Sequence, residues 1–162
     1  MSTENKYPMM QISFVLNGKA SGTTIEPREL LIDVLREKFQ LTGTKRSCDV
    51  QVCGACTVLV DGLPVSSCST LAAEVDARDV QSIEGLSQHG QLDPIQRAFV
   101  EHGAMQCGFC TPGMVLAVKS LLAQDPHPNE ETIRHYLRGN ICRCTGYVKI
   151  IEAINDLASR HG

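Results

Sequence analysis

Apolar and polar residues alternate from Met10 to Leu16, with Ile12 and Phe14 on the same side, which predicts a strand with one buried face. Asn17-Gly18 follows, a pair suited to the positive φ angles of a two-residue hairpin turn, so a returning strand is expected. Beyond Glu26-Pro27, the residues Leu30, Leu31, Val34 and Leu35 recur at helical spacing and predict one amphipathic helix ending near Phe39. Val58 and Val60, Asp61-Gly62, then Leu63 and Val65 predict a second hairpin, and Val80 to Ile83 a closing strand. This order makes a small α+β sheet with one helix on a face.

The period then changes. Asp93 can cap a helix, Pro94 suits its first position and Gln96 completes a capping box, with Ile95, Ala98 and Phe99 facing inward. Thr111-Pro112 repeats the start signal before Met114, Val115, Val118, Leu121 and Leu122. Asn129 opens a third helix with Ile133, Tyr136 and Leu137, stopped by Gly139, and Val148, Ile151, Ile154 and Leu157 make a fourth. Gly85, Ser87 and Gly90 interrupt both patterns and place a seam near residues 84 to 91, dividing the chain into 1–84, ordered from about residue 10, and 85–162.

With 162 residues, 43% of them hydrophobic, the chain is long enough to bury a core, which excludes general disorder. Lys and Arg number 15 against 18 Asp and Glu, a formal charge of −3 without runs of either sign, so no broad basic face is offered to nucleic acid. Met1 to Met9 is polar and lacks an apolar signal segment, and no apolar stretch is long enough for membrane insertion; a soluble, cytoplasmic chain is expected. Aromatics are 4% of residues and Trp is absent, which weakens readings that need stacking platforms. The eight cysteines change the picture, because in a reducing compartment they serve metal or redox chemistry rather than structural disulfides.

Cys48, Cys53 and Cys56 stand in C-x4-C-x2-C spacing, with Cys68 further on after the hairpin, the spacing of plant-type ferredoxins. A 2Fe-2S rhomb needs four thiolates, two per iron, so a loop must wrap it, and Gly54 and Ala55 are small enough to let the backbone close in. Zinc also takes four thiolates, but zinc knuckles favour paired short spacings. The second quartet is Cys107, Cys110, Cys142 and Cys144. Taken alone, a C-x-x-C with a distant C-x-C also fits zinc or a redox disulfide. Beside the first quartet, with no cysteine left over, it reads as a second cluster. Cys110 and Cys144 are each expected just before a helix, where the dipole favours anionic thiolates.

The motifs Cys48-x4-Cys53-Gly54-Ala55-Cys56, Gln106-Cys107-Gly108-Phe109-Cys110-Thr111-Pro112-Gly113 and Gly139-Asn140-Ile141-Cys142-Arg143-Cys144-Thr145-Gly146-Tyr147 resemble those of the iron–sulfur small subunits of the molybdenum hydroxylase (xanthine dehydrogenase) family, over roughly residues 10 to 158. That family includes small subunits of carbon monoxide dehydrogenase, 4-hydroxybenzoyl-CoA reductase and N-heteroaromatic hydroxylases. The resemblance implies an N-terminal ferredoxin-like β-grasp domain with one 2Fe-2S cluster, then a C-terminal domain built like a four-helix bundle with the other. It implies an enzyme subunit whose substrate chemistry lies elsewhere: electrons pass from a large molybdopterin-binding subunit through both clusters to FAD in a medium subunit. The complex is expected to be a hetero-oligomer, commonly a dimer of heterotrimers. Gln106 matches the glutamine that bonds the pterin, Cys144 the ligand nearest to it, and Gly108, Gly113 and Gly146 the family's close backbone turns. The chain departs from the common pattern at Ser47 and at Val50-Gln51-Val52, where many members carry glycine, a change that stiffens the first loop.

Two other classes compete with this reading. A free-standing ferredoxin-like carrier predicts a charged docking face and a stable monomer; a zinc-stabilised module predicts a colourless protein. The five histidines form no ligand spacing and read as ordinary surface or helix-end residues. Lys45-Arg46 reads as a solvated basic loop, Arg143 as a tuning or interface residue, and Met105 and Met114 as core.

Overall fold

The computed structural model describes residues 7–87 and 89–160. The polar start, Met1 to Lys6, and His161 lie outside the described residues.

Strands β1 (Met10–Leu16) and β2 (Lys19–Ile25) pair antiparallel, with Met10 opposite Ile25 and Leu16 opposite Lys19. Their turn holds Asn17 at φ 52° and Gly18 at φ 77°, the left-handed pair foreseen from the sequence. β3 (Thr57–Val60) and β4 (Leu63–Ser66) form the second hairpin. β5 (Asp79–Gln81) runs parallel to β1 and antiparallel to β3, giving a mixed sheet in the order β2-β1-β5-β3-β4. It is shorter than expected, because the backbone tightens into a 3-10 turn at Ile83–Gly85. There Asn17 fixes it, accepting from the Ser82 N–H at 2.8 Å and donating to the Ser82 hydroxyl at 3.0 Å.

Alternation along β1 buries Ile12, Phe14 and Leu16 against α1 (Leu31–Asp33). The sequence predicts one regular amphipathic helix here, but after one turn it widens into a π-helix at Val34–Lys38, and the Phe39 N–H bonds the Val34 carbonyl. The cause lies in the burial pattern. Leu31, Ile32, Val34 and Leu35 are all fully buried, more than one helical stripe accommodates; Leu31, Val34 and Leu35 pack on the sheet while Ile32 turns toward Cys56 and Cys68.

The helical half begins with α2 (Pro94–Glu101), started by the foreseen capping box: Asp93 accepts from the Ile95 N–H and the Gln96 side chain accepts from the Asp93 N–H. α3 (Thr111–Gln124), α4 (Glu130–Tyr136, capped by Asn129) and α5 (Val148–Arg160) follow. Phe99, Met114, Ile133 and Ile154 are fully buried in their shared core. Val148, expected inside, is exposed, because burial in α5 begins at Ile150. The α3 helix also lies on the sheet. Leu59 of β3 joins the helical core, and the Ser120 hydroxyl donates to the Gly62 carbonyl at 2.8 Å. His102 pairs with Asp156 at 3.0 Å, joining α2 to α5, and His127 Nδ1 lies 2.9 Å from the Ala158 carbonyl, so both histidines brace helices. The fold class is α+β, and among the described residues no helix is long and apolar enough to cross a membrane.

Candidate metal centres

The first site is assembled by α1 and the loops flanking the second hairpin. The free N–H groups of Leu31 and Ile32, at the start of α1, donate to the carbonyls of Thr70 and Ser67 at 2.8 and 3.1 Å. The loop bearing Cys68 is thereby tied to the helix. The Ser67 hydroxyl in turn donates to the Cys56 carbonyl at 2.7 Å, so Cys56 and Cys68 sit side by side, both buried against Ile32. Cys48 and Cys53 form the half-exposed pair of the same quartet. Amides of Val50, Val52 and Cys53, then the Cys53 thiol, pull the Cys48 thiol down to about 6, with the Val52 N–H 3.4 Å from its sulfur. Burial, with the neighbouring Cys68, pushes Cys56 up to about 11. Asp49 and Gln51 hold this loop at φ 54° and 57°, while Val50 and Val52 are exposed. Lys45 and Arg46 are not a free basic pair: Arg46 bridges Asp33 and Asp49, and Lys45 donates to the Thr42 carbonyl.

The second site repeats the arrangement. Cys107 and Cys144 are exposed with their sulfurs 3.5 Å apart, while Cys110 interacts with the buried Cys142. Burial pushes Cys110 up to about 12, with Cys142 adding to the rise. The Cys142 sulfur also takes the Thr145 hydroxyl at 3.1 Å. Cys110 itself is the N-cap of α3, so the Thr111 side chain does not cap the helix as the sequence suggested. Nor does Cys144 directly precede α5; Thr145, Gly146 and Tyr147 intervene.

All eight predicted cysteines thus fall into two quartets, each made of an outer and an inner pair. Two thiolates on each of two irons is the coordination a 2Fe-2S rhomb requires, whereas one zinc ion needs four donors around a single point. The four thiols of the second quartet, with Cys53, line a cavity of about 240 Å³. The hydroxyls of Thr44 and Thr111 are buried without a protein partner. Thr111 adjoins Cys110, and the residue after Thr44 donates its N–H to Ala55, between Cys53 and Cys56. A buried donor without an acceptor costs about 1–3 kcal/mol, which marks Thr111, next to Cys110, as a hydroxyl that the protein's own groups leave unsatisfied. The residues fit two 2Fe-2S clusters, one per quartet.

Gln106 is exposed beside Cys107, and Arg143 is exposed between Cys142 and Cys144. The structure adds residues to which the sequence assigned no role at the site. Ile32 packs on the first inner pair, and the Tyr147 hydroxyl accepts from the Cys142 N–H at 2.9 Å. The quartets touch through Asn140 and Ile141, which bond Gly54 and Cys53. Tyr147 and Asn140 stand in the quoted motif, but the bond from Asn140 to Gly54 spans 86 residues and no local pattern announces it.

Two family models match, a 2Fe-2S iron-sulfur cluster binding domain over residues 22–102 and a 2Fe-2S binding domain over residues 82–155. The chain is 44% identical over 162 residues to the nicotine 6-hydroxylase small subunit of Paenarthrobacter nicotinovorans, covering 100% of this chain and 98% of that protein. It is 44% identical over 149 residues to the nicotinate dehydrogenase small FeS subunit of Eubacterium barkeri, covering 92% and 95%. The crystal structure of quinoline 2-oxidoreductase from Pseudomonas putida 86 superimposes with a TM-score of 0.90 at 47% identity, over 95% of this chain and 98% of the matched one. With this likeness along its whole length and cysteines paired two by two, the chain belongs to the iron–sulfur small subunits of the molybdenum hydroxylase family.

Proposed function

We propose that this chain carries electrons from a molybdopterin centre in a large partner subunit, through a cluster at Cys107, Cys110, Cys142 and Cys144, to a second at Cys48, Cys53, Cys56 and Cys68, and on to FAD in a medium subunit. The observation that carries the reading is the contact between the two quartets together with the exposed edge of the second one, where Cys107 and Cys144 lie near the exposed Phe109 and Ile141. A 2Fe-2S cluster supplies reversible uptake of one electron. The chain's own residues hold the sulfurs, aim amides at Cys48, and bury Cys56, Cys68 and Cys142 away from water.

In this reading residues 1–84 and 85–162 act as two cluster-bearing domains. Gln106, exposed beside Cys107, bonds the partner's pterin, and Cys144 is the sulfur nearest to it. The assembly is a cytoplasmic hetero-oligomer of three subunit types in duplicate. The relatives serve nicotine, nicotinate and quinoline enzymes with one small-subunit design, so substrate choice lies in the large subunit.

Anaerobic purification through a tag on this chain tests the reading. The expected product is a complex with molybdenum, FAD, about four irons and about four sulfides per chain, and two EPR signals on reduction. Gln106→Ala is expected to leave both signals intact and slow the reduction of the clusters by substrate. A stable monomer holding both clusters would favour the free-standing carrier instead, and zinc in place of iron would overturn both.

A further inference from the structure

The two quartets are joined at one knot. Gly54, between the second and third cysteines of the first quartet, lies so close to the other half that a Cβ there would stand 2.2 Å from the Gly139 carbonyl oxygen. A Cβ on Gly113, in the first turn of α3, would stand 2.2 Å from the Gly54 carbonyl oxygen. Three backbone segments therefore meet at Gly54: the first-quartet loop, the start of α3 after Cys110, and the strand-like stretch before Cys142.

Asn140 ties them. It is 7% exposed, and its Nδ2 donates to the Gly54 carbonyl at 3.2 Å and to the Thr57 hydroxyl at 3.3 Å. Its own carbonyl accepts from the Tyr147 hydroxyl at 3.0 Å, and that same hydroxyl oxygen accepts from the Cys142 N–H at 2.9 Å. Between these anchors the Ile141 N–H donates to the Cys53 carbonyl at 2.9 Å. One hydrogen bond thus links a first-quartet cysteine to the residue adjoining a second-quartet cysteine.

We infer that Asn140 is a positioning residue for electron transfer inside the chain: it locks the bridge from Cys53 to Ile141 and so fixes the spacing of the two clusters. The inference deepens the electron-carrier reading and rests on it. The step is one electron across the bridge, one cluster oxidised as the other is reduced, with no covalent bond or proton exchanged. A buried side-chain amide suits the task because its Nδ2 reaches both the Gly54 carbonyl and the Thr57 hydroxyl, while its backbone carbonyl is held by Tyr147, without carrying charge into a site already crowded with thiolates.

The test is Asn140→Ala in the intact complex, read by iron and sulfide content, by the midpoint potential of each cluster, by the magnetic interaction between the two reduced clusters in EPR, and by freeze-quench kinetics of electron equilibration between them. The Gly54 carbonyl keeps its 2.7 Å bond from the Thr57 hydroxyl, so the variant retains a partner there. We expect both clusters to assemble, their magnetic interaction to weaken, and equilibration to slow by about tenfold, the population change expected from losing a net hydrogen bond. Ile141→Pro removes the bridging N–H directly, follows a residue already extended at φ −119° and ψ 98°, and is expected to give the same kinetic signature. Unchanged interaction and kinetics with both clusters present would overturn the inference, as would selective loss of the second cluster in Asn140→Ala, which would make Asn140 a brace for its own loop only. Failure of the unaltered complex to pass substrate electrons to either cluster would instead overturn the electron-carrier reading, so the two failures are separable.

Discussion

At Gly54 the positive φ of 68° and the nearness of the Gly139 oxygen act together, so Gly54→Ala meets both backbone strain and a clash with backbone that cannot swing away. Overpacking of this kind costs about 1–3 kcal/mol, and here it forces the quartets apart. The expected outcome is a lower melting temperature and disturbance of both EPR signals, although Gly54 stands within only one cysteine motif. The thiols give a second prediction. In chain stripped of iron, Cys48, drawn down to about 6 by the surrounding amides, is a thiolate at neutral pH and loses that character as pH falls through 6, while Cys110, held up at about 12, stays a thiol throughout. Mass-spectrometric alkylation at pH 7.5 is expected to mark Cys48 well before Cys110, and equal rates would show that the loop geometry collapses without the cluster. These residues divide what the sequence reveals. Spacing singled out the first quartet and the small residues within it, and the second quartet was readable only beside the first; Asn140, Ile32 and the unpartnered Thr44 and Thr111 hydroxyls emerge only when distant segments meet.

At the scale of elements, local signals were reliable where the energetics are local. The two hairpins turn at Asn17-Gly18 and Asp61-Gly62, all four residues at positive φ, and α2 starts with its full capping box. Asp93 also receives Lys119 of α3 at 3.3 Å, so its cap ties two helices. Asp93→Ala is expected to cost about 1 kcal/mol, read as a lower thermal midpoint with cluster content unchanged. Local signals failed where tertiary demands win. The first helix is pulled into a π-turn because sheet and cysteines both claim its apolar side chains, and the Thr111-Pro112 start signal is displaced because Cys110 takes the capping position. Periodicity on α5 could not tell Val148 from Ile151, since burial there depends on where the preceding cysteine loop lets the helix enter the core.

Across the whole molecule, two hydrophobic cores are stitched together by Leu59, by the bond from Ser120 to Gly62 and by the Asn140 knot. The partition into a sheet half and a helical half follows from hydrophobic period, but the relation between the halves does not, because it depends on bonds between residues far apart in sequence. The outer pairs of the quartets are unequal. Cys107 and Cys144 are exposed beside Phe109 and Ile141, whereas Cys48 and Cys53 are half-buried. A chain made without its partners therefore offers oxygen an easier approach to one cluster than to the other, and in air the helical half would bleach first. Under the proposed electron path, the subunit that delivers electrons at this edge would also wrap it, and assembly of the complex would set the shelf life of its most vulnerable part.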